Sequence, residues 1–336
     1  MSAFLSANSY LGFVAEVTRG TTPATGTVFW IPVSAPAPVP GQKFLPDDAF
    51  RGSPVMLYNQ VAGVRSDEHS FKSYLYADTF PVYVKALLGG VDTVTPTTAS
   101  YSHSIPLLNA PATGSQPLSY SICDFDGANY FTFAGAQASD MTLTFGAEVA
   151  ADVQMKFITN PYGTGTTAPA PFTTLSYSTE QMIPSWDATI SIASSPLTYI
   201  ASGELKIDRK TAAIFTMGTQ QAYQNFAGPI EVTGKFTAIV ASNADPFSTG
   251  TSAYALNDAA QSLTITLTDP NDLHTAIHDS ITFQMTNAQF EMPKRTRGKE
   301  YLELEVEFSA EANLTDGGTS YAPIKATIVN GVATAF

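Results

Sequence analysis

The chain has 336 residues, of which 44% are hydrophobic, and this excludes a disordered chain, which would be poor in apolar residues and rich in charge. Charged residues make up only 13%, against the ~25% usual in a globular domain. Sixteen basic against 29 acidic residues give a net charge of −13, which disfavours tight nucleic-acid binding, because that needs cations to release phosphate counterions.

The first seventeen residues, Met1 to Val17, lack a basic start, and Ser and Asn break their apolar run, so they read as no signal peptide. No window approaches ~18 unbroken apolar residues, so nothing is expected to span a bilayer, and an anionic membrane surface would repel the chain. Cys123 is the single cysteine, which excludes an internal disulfide framework and a multi-cysteine zinc site. Folding in a cytoplasm is the expectation. Hydroxyl residues replace the missing charge, among them 41 Thr, a β-favouring type. A surface so weakly charged implies that much of it faces other protein, as in an assembly subunit.

Short alternating or β-branched runs recur between turn residues: Thr27 to Val33, Ser53 to Val64, Ser70 to Tyr76, Met141 to Val149 and Val153 to Thr159. They continue with Ala188 to Ala193, Glu204 to Asp208, Ile230 to Ala241, Ser262 to Thr268, Ser280 to Thr286 and Tyr301 to Ala310. This spacing predicts an all-β sandwich or barrel. One short helix is predicted over Phe80 to Leu88, with Asp78 or Thr79 as N-cap, Pro81 in the first turn and Gly89-Gly90 as the stop. The segment 35–48 carries Pro36, Pro38 and Pro40, which cannot join a central ladder, and it is expected as a projecting loop or arm. A Gly-, Thr- and Pro-rich stretch, 161–184, is expected to link two lobes of ~150 residues, 1–160 and 185–336.

The lobes look like copies. Ala24-Thr25-Gly26 matches Ala201-Ser202-Gly203, and Phe50-Arg51-Gly52 matches Phe226-Ala227-Gly228. Ala77-Asp78-Thr79-Phe80 matches Ala244-Asp245-Pro246-Phe247, and Phe131 to Gln137 matches Phe283 to Gln289. Phe145-Gly-Ala-Glu-Val149 matches Phe308-Ser-Ala-Glu-Ala312. The five matches are collinear. Two unrelated β lobes of like composition are the alternative.

A resemblance follows from Val61-Ala-Gly-Val64, Ser70-Phe-Lys-Ser-Tyr-Leu-Tyr76 and Leu87-Leu-Gly-Gly90, together with Ser102-His-Ser-Ile-Pro106, Ile230 to Thr237 and Tyr321 to Val329. The series resembles siphophage major tail tube proteins over nearly the whole chain. The resemblance implies tail-tube-type β-sandwich or barrel lobes in rings, stacked into a hollow tail that DNA crosses as transient cargo. It also implies tape measure and tail terminator proteins as partners, and a place in the virion after assembly in the host cytoplasm. Some relatives place one lobe per subunit in hexameric rings, and others two lobes in trimers with pseudo-sixfold symmetry. The duplicated pattern selects the trimer, with the hexamer as alternative. Some relatives add an immunoglobulin-like domain, but here the second half resembles the first instead.

Catalytic and metal patterns are weak. His274 and His278 stand four apart near Asp272 and Asp279, but the segment is short and reads as a solvated loop. Asp124-Phe-Asp-Gly127 lacks the further ligands of a calcium loop and reads as a β-turn. There is no GxSxG and no GxxxxGK[ST], and the four histidines fall in strand-edge or loop contexts. Cys123 reads as packed rather than nucleophilic. No enzyme and no cofactor is expected.

In Tyr301 to Phe308, Glu303, Glu305 and Glu307 share one strand face and Leu302, Leu304, Val306 and Phe308 the other. Burying three carboxylates would be prohibitive, so the Glu face is expected to be wet. Asp140, Thr142 and Thr144 form the corresponding polar face in the first lobe. These six residues are the expected lumen wall, with an ordinary outer sheet face as the bland alternative. Lys294-Arg295-Thr296-Arg297-Gly298-Lys299 reads as a basic hairpin tip. Lys294, Arg295 and Arg297, with Pro36, Pro38, Pro40, Lys43 and Phe44 of the arm, are the expected contacts to the next ring. The competing function is a carbohydrate-binding β-sandwich of a phage fibre or adhesin, with Trp30, Trp186 and the 15 Tyr as stacking platforms.

Overall fold

Apolar and polar residues alternate along most of the strand-forming runs, and a period of two buries one face of each strand. A computed structural model of the chain describes all residues except 1–5, 35, 110–113, 115, 179, 198, 241–259, 272–277, 298–300 and 319. The first half holds β1 (Tyr10–Ala15), β2 (Phe29–Ile31), β3 (Ala37–Val39), β4 (Gln42–Asp47), β5 (Asn59–Arg65) and β6 (Asp67–Tyr74). After helix α1 (Phe80–Leu88) come β7 (Thr93–Pro96), β8 (Tyr101–Pro106), β9 (Tyr120–Phe125), β10 (Tyr130–Gly146), β11 (Asp152–Thr159) and β12 (Gly163–Gly165). The second half holds β13 (Thr189–Ile192), β14 (Ser195–Pro196), β15 (Ile200–Asp208), β16 (Ala212–Ile214), β17 (Gln224–Phe226) and β18 (Glu231–Ile239). It continues with β19 (Gln261–Thr268), β20 (Ser280–Phe290), β21 (Lys294–Thr296), β22 (Glu303–Ala310), the four-residue α2 (Leu314–Gly317) and β23 (Lys325–Asn330).

One antiparallel run of ladders crosses both halves in the order β3–β6–β11–β10–β15–β18–β22–β20. Strand β10 is 17 residues long. Its first part pairs with β9 and β12, and its second part with β11 and β15. No series of ladders among the described residues returns to its start, so the sheets are open and fold over one core as an all-β sandwich. That core takes Phe13, Ile31, Phe71, Phe133 and Phe157 from the first half and Leu205, Phe236, Phe283, Val306 and Ile328 from the second.

The two halves pair their strands in the same order. The first runs β1–β9–β10–β11–β6–β3 and the second β13–β19–β20–β22–β18–β15. A small separate hairpin interrupts each at the same place, β4·β5 before β6 and β16·β17 before β18. Of the sequence matches, Phe131–Gln137 and Phe283–Gln289 fall on β10 and β20, which occupy like places. Phe145 is the penultimate residue of β10, whereas Phe308 lies in β22, the place of β11. Residues 244–247 lie outside the described residues.

Phe145 and Phe308 nevertheless share a local device. Each ring covers a glycine directly across the ladder, Gly203 in β15 and Gly234 in β18. A Cβ on Gly203 would stand 2.3 Å from the Phe145 ring, and one on Gly234 would stand 2.5 Å from both the Phe308 ring and the backbone oxygen of Glu204. Glycine inside a strand marks such close approaches.

Helix α1 has Pro81 in its first turn and ends on left-handed Gly89, whose N–H reaches Lys85 O, but Thr79 at the N-cap makes no side-chain cap bond. The stretch 161–184 packs mainly on the first half and also meets the second, where Asn271 Nδ2 donates to Gln181 Oε1 at 3.3 Å. Its β12 joins β10, Phe172 and Ile183 are buried, and Trp30 Nε1 donates to Thr174 O at 2.9 Å. The proline segment is an edge strand, β3, followed by the hairpin β4·β5, rather than a loop. Two histidines sit in the core instead of at strand edges or in loops. His69 faces Asp124 at 3.0 Å, and His103 lies between Asp92 at 2.8 Å and Val332 O at 2.9 Å.

Replacing Gly234 by Ala should destabilise the fold by about 1–3 kcal/mol, the usual range for overpacking against backbone. A urea unfolding midpoint measures it, and an unchanged midpoint would mean that the Phe308 ring moves aside freely.

Candidate functional site

The outward face of β6, β11, β10, β15, β18 and β22 is a single charged surface. Residues opposite one another in a ladder share a face, and the register links them across the sheet. Lys72 lies opposite Gln154, Gln154 opposite Thr142, Thr142 opposite Lys206, and Lys206 opposite Thr233. One row over, Thr144 lies opposite Glu204, Glu204 opposite Lys235, and Lys235 opposite Glu307. Thr237 stands opposite Glu305, and Asp140 opposite Lys156 and Asp208.

All six residues expected on a polar wall therefore stand on one face of one sheet. Asp140, Thr142 and Thr144 belong to β10, and Glu303, Glu305 and Glu307 to β22, with β15 and β18 between them. They are not counterparts in strand order, since β22 corresponds to β11. Glu305 and Glu307 are partly exposed as expected, whereas Glu303 is only 9% exposed.

Sequence reading missed the lysines between the carboxylates. Lys156 pairs with Glu68 at 2.8 Å, Lys72 with Asp152 at 3.0 Å and Lys235 with Glu204 at 3.7 Å. Lys210 bridges Asp208 at 2.7 Å and Glu231 at 2.9 Å. Lys294 pairs with Glu307 and lies 3.8 Å from Glu305. With Lys206, six of the chain's ten lysines stand on or reach this face. The signal was the period-two charge in Glu204-Leu-Lys-Ile-Asp208 and in Glu231-Val-Thr-Gly-Lys235. The face is thus a chequer of paired charges rather than an acidic wall. A groove of about 320 Å³ runs along it between Glu204, Lys206, Lys235, Glu305 and Glu307.

Its titration follows from its neighbours. Burial raises the Asp140 carboxyl and the facing Asp208 adds to this, against Lys156 and Lys206. Burial also pushes Asp208 upward, but hydrogen bonds from Lys210 outweigh it and leave that carboxyl below its ordinary value. Glu307 is held low by Lys294.

The remaining candidates fall elsewhere. Lys294 lies in β21, which pairs along β22 through residues 294–296, and Arg295 and Arg297 are exposed beside it. Pro36 and Pro40 flank β3, Pro38 lies within it, and Lys43 and Phe44 lie on β4. Asp126 accepts from Ala128 N and Asn129 N, so the β9–β10 turn begins at Asp126, whereas Asp124 belongs to β9 and is buried against His69. Burial pushes the Cys123 thiol up to about 12. Asp272 and His274 lie outside the described residues. Among the described residues, no group of three or more His, Cys, Asp or Glu side chains is placed to hold a metal ion, and no helix is long and apolar enough to cross a membrane. Trp30 is buried, and Trp186 is exposed.

A family model described as phage tail tube protein matches residues 6–310. The chain belongs to this family. It is a structural component of the phage tail and a subunit that oligomerises into a tube. The comparison with curated proteins finds no match. In this tail tube protein the charged pairs are solvent-facing, and exposed pairs contribute ~0–1 kcal/mol each. Replacing Lys235 by Met should therefore shift stability by less than about 1 kcal/mol by urea unfolding. A larger loss would make the ladder a structural element rather than a surface one.

Proposed function

We propose that this tail tube protein closes laterally into rings and that its charge-paired sheet face lines the bore through which DNA passes, as in a long non-contractile tail. The observation that carries this reading is one continuous sheet spanning both halves, apolar on one side and ion-paired on the other. A bore must not hold a polyanion. Nine carboxylates and six lysines on or reaching this face leave it weakly negative, with most lysines committed to a neighbouring acid. Passing phosphates then find few free cations with which to exchange counterions.

The common strand order supports a duplication, with lobes 1–160 and 185–336. Two like lobes per chain favour three chains per ring with pseudo-sixfold symmetry, against six chains as the alternative, and closed cyclic assemblies are the usual outcome for repeated subunits. Tape measure and tail terminator proteins are the further partners, and assembly takes place in the host cytoplasm. The next ring meets the hairpin β4·β5. There Phe44, Leu45, Phe50, Met56 and Val61 are exposed on a two-stranded projection, and an exposed apolar patch of this kind marks an interaction surface. Lys43 flanks it.

Two experiments test the reading. Glu204→Gln with Glu305→Gln removes two charges without changing shape, leaving Lys235 without its Glu204 partner and Lys294 with Glu307 alone. Tubes should form normally but retain DNA, with slower or incomplete ejection from particles; unchanged ejection would contradict a bore position for this face. Replacing residues 48–58 at the hairpin tip by Asn-Gly, a two-residue turn, should leave folded subunits that form rings but not stacks in negative stain. Full-length tubes from this variant would contradict the inter-ring role.

A further inference from the structure

The outer edge of β3 carries proline at alternate positions, Pro36, Pro38 and Pro40. Strand β3 pairs with β6 through Ala37, Pro38 and Val39 opposite Ser70, His69 and Glu68. Along an antiparallel ladder, backbone groups point alternately toward the partner and away from it. Proline has no N–H, so Pro38 takes the outward position, and Ala37 and Val39 face β6. Two contacts agree with this. Ser70 Oγ donates to Ala37 O at 3.4 Å, and Gly41 N donates to Asp67 Oδ1 at 3.0 Å, so odd-numbered backbone groups point inward. The outward carbonyls of Pro38 and Pro40 therefore stand without an N–H between them, and Pro36 supplies none either. This edge accepts hydrogen bonds and cannot donate them.

Its counterpart in the second half is β15, whose outer edge is filled by β10 through a regular ladder from Asp140–Asp208 to Gly146–Ser202. The place of β10 in the second half belongs to β20 and the short β21 that follows it. Strand β21 pairs with β22 on one side and has no second ladder among the described residues. One joint between halves is thus made inside the chain, and the two sides of a matching joint lie open at its ends. The open β21 side is Lys294-Arg295-Thr296, followed by Arg297. Arginine is a donor only, with five N–H groups, so Arg297 complements an edge that only accepts, while Lys294 stays with Glu307 on the sheet face.

We infer that the proline edge β3 lies against the open side of β21 of a second copy of this chain, in an interrupted joint that takes donors from β21 and Arg297 rather than in a regular ladder. The inference deepens the ring reading and rests on it. Prolines on an edge also block indiscriminate strand pairing, so free subunits do not zip together through β3, while a donor-rich partner presented in register does. In this arrangement Pro36, Pro38, Pro40 and the basic strand belong to the lateral joint within a ring, and Lys43 and Phe44 remain with the hairpin that meets the next ring.

The test places one cysteine on each side, Val39→Cys with Thr296→Cys in the same full-length chain, and treats assembled tubes with a short bismaleimide. Cys123 is buried and stays unreactive. Denaturing gels should show covalent dimers and trimers from the double variant and none from either single variant, while mixed single variants stop at dimers. Intact tubes without crosslinks would overturn this joint and leave the ring reading standing. Wild-type protein that forms no rings or tubes under the same conditions would overturn both. In a second arm, replacing Pro36, Pro38 and Pro40 by Ala restores three N–H donors, and the monomer peak of the free protein should be lost to larger species by size exclusion. A monomer peak equal to wild type would overturn the gating role of the prolines.

Discussion

The ladder between β10 and β15 is the constraint on which the rest of the molecule depends. Seven residues of β10, Asp140 to Gly146, pair with Asp208 to Ser202 and weld the halves into a single sheet. The weld fixes register, and register fixes sidedness, because a slip of one residue would exchange the faces of every strand. Met141, Leu143 and Phe145 face the core together with Leu205 and Ile207, so Asp140, Thr142, Thr144, Glu204 and Lys206 have only the outer side available. Gly203 beneath Phe145 lets the two strands approach at the end of the weld, and Gly234 beneath Phe308 does the same two strands further on.

The outer face then solves a problem that follows from low charge overall. A chain with few lysines places most of them where carboxylates already stand, so that each ammonium has a near neighbour of opposite sign. These exposed pairs add little to stability. Their consequence is a surface whose potential falls away within a Debye length, ~8 Å at physiological ionic strength. If this face lines the bore as proposed, a polyanion sliding past it would meet neither strong repulsion nor a row of unpaired cations.

Much of this was legible in the sequence and some was not. The period-two runs located most strands of the long sheet, and Pro81 with Gly89-Gly90 marked α1 at its observed limits. The acidic face of Glu303, Glu305 and Glu307 was readable because three glutamates alternate with Leu, Val and Phe. The lysines facing them were not, because cross-strand partners are set by register, which single strands do not encode. His69 and His103 looked peripheral because their buried partners, Asp124 and Asp92, are 55 and 11 residues away. The proline segment read as a loop, since proline cannot occupy a central strand, and nothing local distinguishes a loop from an edge strand. The stretch 161–184 read as a linker from its composition, whereas the burial of Phe172 and Ile183 depends on the surface that the first half offers.

The central claim is that the ion-paired face of the continuous sheet is the inner wall of the tube. A cryo-electron microscopy map of assembled tubes, at a resolution that traces side chains, measures this directly. The account predicts Glu204, Lys235 and Glu305 on the bore, with the β10–β15 ladder running continuously around the inner layer. A map that places these residues on the outer surface, or buries them between stacked rings, would contradict it.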